Sequence, residues 1–137
     1  EETEIKLFHH KNPKKFNSSV YFSNGLESDN YTLVKCKTLD KFVKENKHKN
    51  IDILKMDIEG VADKVLIHMF KKTKIRPHQI VTEFEIIDIE SPITYIPKLV
   101  EVFKLLELNG YKIFNQLLTR KPTIEMIFID KSLQWKE

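Results

Sequence analysis

Glycine is scarce in this chain: Gly25, Gly60 and Gly110 are the only three in 137 residues. No two are close enough to build G-x-G-x-x-G or G-x-x-x-x-G-K-[ST], so the glycine loops that cradle phosphates in nucleotide sites are excluded. Cysteine is scarcer still. The single Cys36 cannot close an internal disulfide, which points to a reducing, cytoplasmic setting. With no His or Asp near it in sequence, it is expected as a half-buried thiol rather than a nucleophile. No apolar run reaches the roughly 18 residues of a membrane span, and no signal-peptide pattern opens the chain. None of His9, His10, His48, His68 and His78 pairs with another at an H-x3-5-H zinc spacing. An excess of charge is missing too. The net charge of +3, from 23 Lys+Arg against 20 Asp+Glu, is too small to argue for nucleic acid by itself.

What is present suits one folded domain spanning residues 1–137. Hydrophobic residues make up 41% and charged residues 31%, enough to fill a core and keep the surface solvated. The chain opens on Glu1 rather than Met, and that N-terminus reads as a cut end. Residues 1–37 read as a region of loops and short strands: Ile5 with Leu7, then Val20 with Phe22 around a Pro13 loop, then Tyr31, Leu33 and Cys36. SNGLESDN (23–30) reads as a turn-forming, mobile segment.

Residues 38–137 read as an α/β core. Thr38 is placed to cap a short helix with Leu39, Phe42 and Val43 on one face. IDILKMDI (51–58) is nearly continuous in apolar character, so it is expected as a strand buried on both faces. Val61, Ala62, Val65, Leu66, Met69 and Phe70 recur at helical spacing. HQIVTEFEI (78–86) is strand-like. Pro97 suits a helix's first turn, with Ile96, Leu99, Val100, Phe103 and Leu106 as its core stripe and Gly110 as its end. YKIFNQL and IEMIFID are the last two strands, joined by a short TRKPT turn, so one of them is expected to be antiparallel. Strands alternating with helices predict an α/β fold with a mostly parallel sheet.

The candidate chemistry lies where two strands end. In open α/β sheets ligands bind beyond the carboxyl ends of the strands, where Asp57 and Glu59 follow one strand while Glu83 and Glu85 close the next. Four carboxylates there could bind a hard cation, hold a cationic ligand, or supply a general base whose pKa is raised by burial and like charge. The plainer alternative is that Asp57 or Glu59 favours the positive N-terminal end of the helix near Val61. Lys11, Lys14 and Lys15 with Phe16, and Lys71, Lys72, Lys74 and Arg76, form basic patches. Charge runs of this kind are ordinarily solvated faces.

The stretch VKCKTLDKFVKENKHKNIDILKMDIEGVADKVL (34–66) resembles the FkbM family of S-adenosylmethionine-dependent methyltransferases. Thr38-Leu39-Asp40 matches a T-L-D element that leads a short helix. Lys55-Met56-Asp57-Ile58-Glu59-Gly60 matches a strand ending K-x-D-x-E-G, and Val65-Leu66 the apolar pair on the next helix. IVTEFE (80–85) and Gly110-Tyr111 also fit. The resemblance implies the later half of a Rossmann-like methyltransferase sheet, with 51–58 as its fourth strand, 79–85 as its fifth and a C-terminal antiparallel strand. It implies methyl transfer from S-adenosylmethionine to a hydroxyl of a sugar or small natural product. It places Asp57 where donor meets acceptor, and gives Asp57, Glu59 or Glu83 the task of orienting or deprotonating that hydroxyl, with no metal. Family members begin with a glycine-containing strand and turn for the donor and an acidic residue for its ribose. Neither is in these 137 residues, which implies an N-terminally truncated domain with an open sheet edge. A partner or second copy could cover that edge. The competing reading is a non-catalytic, methyltransferase-like interaction module; a weaker third is nucleic-acid binding through the Lys patches, which would fall steeply with salt.

Overall fold

Seven strands and three helices follow one another in a computed structural model that describes residues 3–12, 14, 18–20, 26–58, 60–85, 92–118 and 123–133. The first three strands, β1 (Thr3–His10), β2 (Ser18–Ser19) and β3 (Leu26–Cys36), form an antiparallel sheet in the order β2-β1-β3. Ile5 faces Val34 and Phe8 faces Tyr31 across the β1–β3 ladder, and the Phe8 and Tyr31 rings meet edge to face at 6.0 Å. Residues 26–30, expected in a turn, belong to β3: Leu26 pairs with His10, and 27–30 lie in the irregular stretch between that pair and Phe8–Tyr31. Phe22 and residues 23–25 lie outside the described residues. Cys36 closes β3 and is exposed rather than half-buried.

Helix α1 (Leu39–Glu45) begins after Thr38. The boundary matches the sequence expectation, but the Thr38 side chain makes no cap bond. The neighbouring Thr38 hydroxyl is the main influence that holds the Asp40 carboxyl below its ordinary pKa. The helix ends through His48 N–H donating to the Val43 carbonyl, with Lys47 at φ 55°, a left-handed turn that satisfies the last carbonyls.

The second sheet carries the core. Its order is β4 (Ile53–Met56), β5 (Gln79–Glu85), β7 (Thr123–Asp130), β6 (Tyr111–Leu118). Only β4 and β5 pair in parallel; β7 pairs antiparallel with both β5 and β6. The sheet is thus mixed and not mostly parallel. The cause is the short link from β6 to β7: too short for a crossover, it returns β7 antiparallel, and β7 then takes the place between β5 and β6.

Two helices close one face. α2 (Ala62–Lys72) turns inward Ala62, Leu66, Met69 and Phe70, and α3 (Pro92–Leu108) turns inward Tyr95, Leu99, Val102 and Leu106. They meet Ile80 and Phe84 of β5 with Met126 and Phe128 of β7 in one cluster. The stripe on α3 is rotated from the sequence expectation. The helix starts five residues before Pro97, and Ile96 and Val100 are exposed at 53% and 45%. Pro97 is tolerated within the helix on its solvent side.

β4 is not buried on both faces. It is an edge strand, and Ile53 is 59% exposed. No described helix covers the face of the sheet away from α2 and α3. Along β5, Ile80, Thr82 and Phe84 are buried while Gln79, Val81, Glu83 and Glu85 on the open face are only half-buried. An apolar run suited to a two-sided strand here meets packing on one side.

Arg76 locks the ends of the two long helices. Its Nε donates to Asn109 Oδ1 at 2.8 Å, and its Nη atoms donate to the carbonyls of Thr73, Ile75 and Phe70. It is a helix C-terminal clamp rather than part of a solvated charge run. Tyr111 is buried against Phe70 and donates to the Pro77 carbonyl. Burial, reinforced by Asp130, pushes its hydroxyl pKa up to about 12.

Two outcomes follow from this one-sided core. Leu66→Ala is expected to cost about 2–5 kcal/mol in denaturant unfolding, whereas Ile53→Ala on the open face should stay within about 0.5 kcal/mol. A phenol pKa raised in the fold means Tyr111 contributes stability below pH 10 and loses it as pH rises to about 12. Urea midpoints at pH 9 and pH 12 should therefore show a smaller alkaline loss in Tyr111→Phe than in the parent.

Candidate functional site

Strand direction decides which residues reach the crevice. β4 ends at Met56, whose ladder partner is Thr82. Asp57 is the next residue on one strand and Glu83 the next on the other, so both stand one step past the last parallel pair. Glu125 of β7 is the direct partner of Glu83. Neighbouring strands run about 4.8 Å apart. Asp57, Glu83 and Glu125 therefore form a row of backbone positions across three strands, at the carboxyl ends of β4 and β5.

The row is spread rather than focused. Asp57 is exposed, and Glu83 and Glu125 are half-buried. Among the described residues no three His, Cys, Asp or Glu side chains converge on a point that could hold a metal ion. Glu59 lies outside the described residues. Glu85 is two residues beyond Glu83 on the same face, opposite Thr123. The expected four-carboxylate cluster is, in its described part, a linear series along a sheet face. The reason is the flat pitch of a pleated strand: side chains on one face stand side by side rather than pointing inward.

Lys55 precedes this row. It pairs with Val81, which faces Ile127 across the next ladder. Its ammonium makes no ion pair among the described residues, and it is exposed. The K-x-D of the K-x-D-x-E-G segment therefore displays a cation and a carboxylate at the rim of the uncovered face. Gly60, at φ 83°, turns the chain from the strand into α2. That left-handed backbone favours glycine.

Two acidic residues escaped the sequence reading. Glu125 interrupts the apolar IEMIFID run at the same parity as Ile127 and Ile129, and that parity was the available signal for a carboxylate on the sheet face. Asp63 is 2% exposed in the first turn of α2, beside the buried Ala62 and Leu66. Its place one turn ahead of Leu66 and two ahead of Phe70 put it in the apolar stripe. The helix N-terminus favours its negative charge.

Like charges directly opposite in a ladder repel. Glu125→Gln is therefore expected to stabilise the fold by about 0.2–1 kcal/mol, with a higher thermal midpoint in low salt than in high salt relative to the parent. Asp57→Asn, at an exposed position, should change unfolding free energy by less than about 0.5 kcal/mol, so any functional loss in that variant would not be a folding defect.

No described helix is long and apolar enough to cross a membrane. No curated protein and no solved structure matches the chain. A family model described as the methyltransferase FkbM domain matches residues 3–113, which include the whole of β1 to α3, Asp57 and Glu83. That match spans well over half of the sequence, and the chain belongs to the FkbM methyltransferase family.

Proposed function

We propose that the chain is the acceptor side of an S-adenosylmethionine-dependent O-methyltransferase acting on a hydroxyl of a sugar or small natural product in the cytoplasm. The observation that carries this reading is the position of Asp57. It is exposed at the carboxyl end of β4, beside Glu83, within a chain matched by the FkbM family model. Methyl transfer needs little covalent help from protein; it needs the acceptor oxygen held in line with the methyl carbon and relieved of its proton. In this reading Asp57, Glu59 or Glu83 accepts the hydrogen bond of the acceptor hydroxyl, and Asp57 also borders the donor. The open sheet face beside Lys55 and Val81 gives an acceptor ring an apolar surface.

Asp57 is exposed. Gly60 and Gly110 each serve a helix boundary. The proposal therefore assigns the donor's glycine turn to protein that completes the sheet at the edge of β4.

The exposed β4 edge also supports a second reading, a non-catalytic module that pairs through that edge with a second copy or another chain. An unpaired strand offers a row of backbone donors and acceptors to such a partner.

Calorimetric titration with S-adenosylhomocysteine separates the readings, using this chain beside a form extended upstream in its gene. Binding by the extended form alone supports the completed-site reading, and there Asp57→Asn is expected to lower kcat by about 100-fold or more without loss of stability. Binding by the short chain would overturn the assignment of the donor turn elsewhere. Binding by neither, together with a concentration-dependent dimer in sedimentation, would favour the module.

A further inference from the structure

A concentration of positive charge lies at the opposite end of the sheet from Asp57. A groove of about 670 Å³ opens between the C-terminal ends of α1 and α2, next to the segment that leads into β4. Lys44, Lys49, Lys72, Lys74 and Arg76 line it, against a single carboxylate, Asp40. Its lining therefore carries more positive charge than the whole chain, whose net charge is +3.

Helix C-termini attract cations, so part of this charge has a structural cause. Arg76 is accounted for in that way, since its guanidinium is committed to Asn109 and three carbonyls. The neighbouring Lys71 is also committed, to Glu101. The four groove lysines are different. Lys44, Lys49, Lys72 and Lys74 are exposed, and their side chains have no hydrogen bond or ion pair among the described residues. Four like charges around one concavity repel each other, and an anion seated among them removes that cost. Val43, Ile51 and Ile75 give the groove an apolar part. Its volume falls within the roughly 300–1,000 Å³ of small-ligand sites.

We propose that this groove is a binding site for a small organic molecule carrying two or more phosphates, of the size of a nucleoside diphosphate. Lysines would hold the phosphates as mobile point charges, without the glycine loop this chain lacks. The site is separate from the Asp57 row and stands or falls independently of the methyltransferase reading.

The test is calorimetric titration of the chain with ADP, inorganic pyrophosphate and adenosine in low-salt buffer. ADP and pyrophosphate are expected to bind and adenosine is not. Lys44→Gln/Lys72→Gln/Lys74→Gln should weaken ADP binding by about tenfold or more. A charge-matched control, Lys35→Gln/Lys104→Gln/Lys112→Gln, should leave it unchanged. All six lysines are exposed, and circular dichroism checks that both variants fold. The proposal is overturned if neither phosphate compound binds, if both triple variants lose binding equally, or if adenosine binds as well as ADP. It is also overturned if a short single-stranded RNA displaces ADP at far lower concentration, since the groove would then serve a macromolecule.

Discussion

One-sided burial of the four-stranded sheet is the constraint on which this protein depends. Leu66 and Met69 from α2, Val102 and Leu106 from α3, and Ile80, Phe84, Met126 and Phe128 from the sheet exclude water from one face. Each large side chain fully buried there contributes roughly 1.5–3 kcal/mol. The Arg76 clamp and the Tyr111 bond to Pro77 tie the same helices and strands together at one end. The other face is covered less evenly: Ile53 and Lys55 are exposed and Val81, Glu83 and Glu125 half-buried, while Ile129 and Thr123 at the same parity of β7 are buried.

That asymmetry explains how stability and chemistry are divided. The packed face tolerates almost no polar group; Thr82 and Asp63 are its notable exceptions. The open face and the carboxyl ends of β4 and β5 carry the carboxylates. The amino end, where α1 and α2 finish, carries the cations. The groove lysines and the Asp57 row thus lie at opposite ends of the parallel strands.

The elements were largely legible in the sequence. Helical spacing located α2 closely, alternation located β5, and the short link between the last two strands announced an antiparallel pair. Thr38 and Gly110 marked real boundaries. The α3 stripe differs from the sequence expectation because Pro97 suits a helix start by local rule, whereas a proline on the solvent side can sit inside a helix. Residues 26–30 have the composition of a turn, and in β3 most of them do sit in an irregular stretch of the ladder, with Leu26 paired beyond it. β4 looked two-sided because apolar content reports a tendency to be buried, not whether a covering layer is present.

From residue order alone came the kinds of element, their boundaries to within a few residues, the K-x-D-x-E-G segment and the expectation that its carboxylates lie at a strand end. Local propensity and periodicity depend only on near neighbours in the chain, so they survive without a fold. Tertiary structure decided which neighbours meet across distance. It inserted β7 between β5 and β6, set Glu125 opposite Glu83, left β4 at an edge and gathered Lys44, Lys49, Lys72 and Lys74 around one groove. Those outcomes depend on strand order and helix docking, which long-range burial selects and no local pattern encodes.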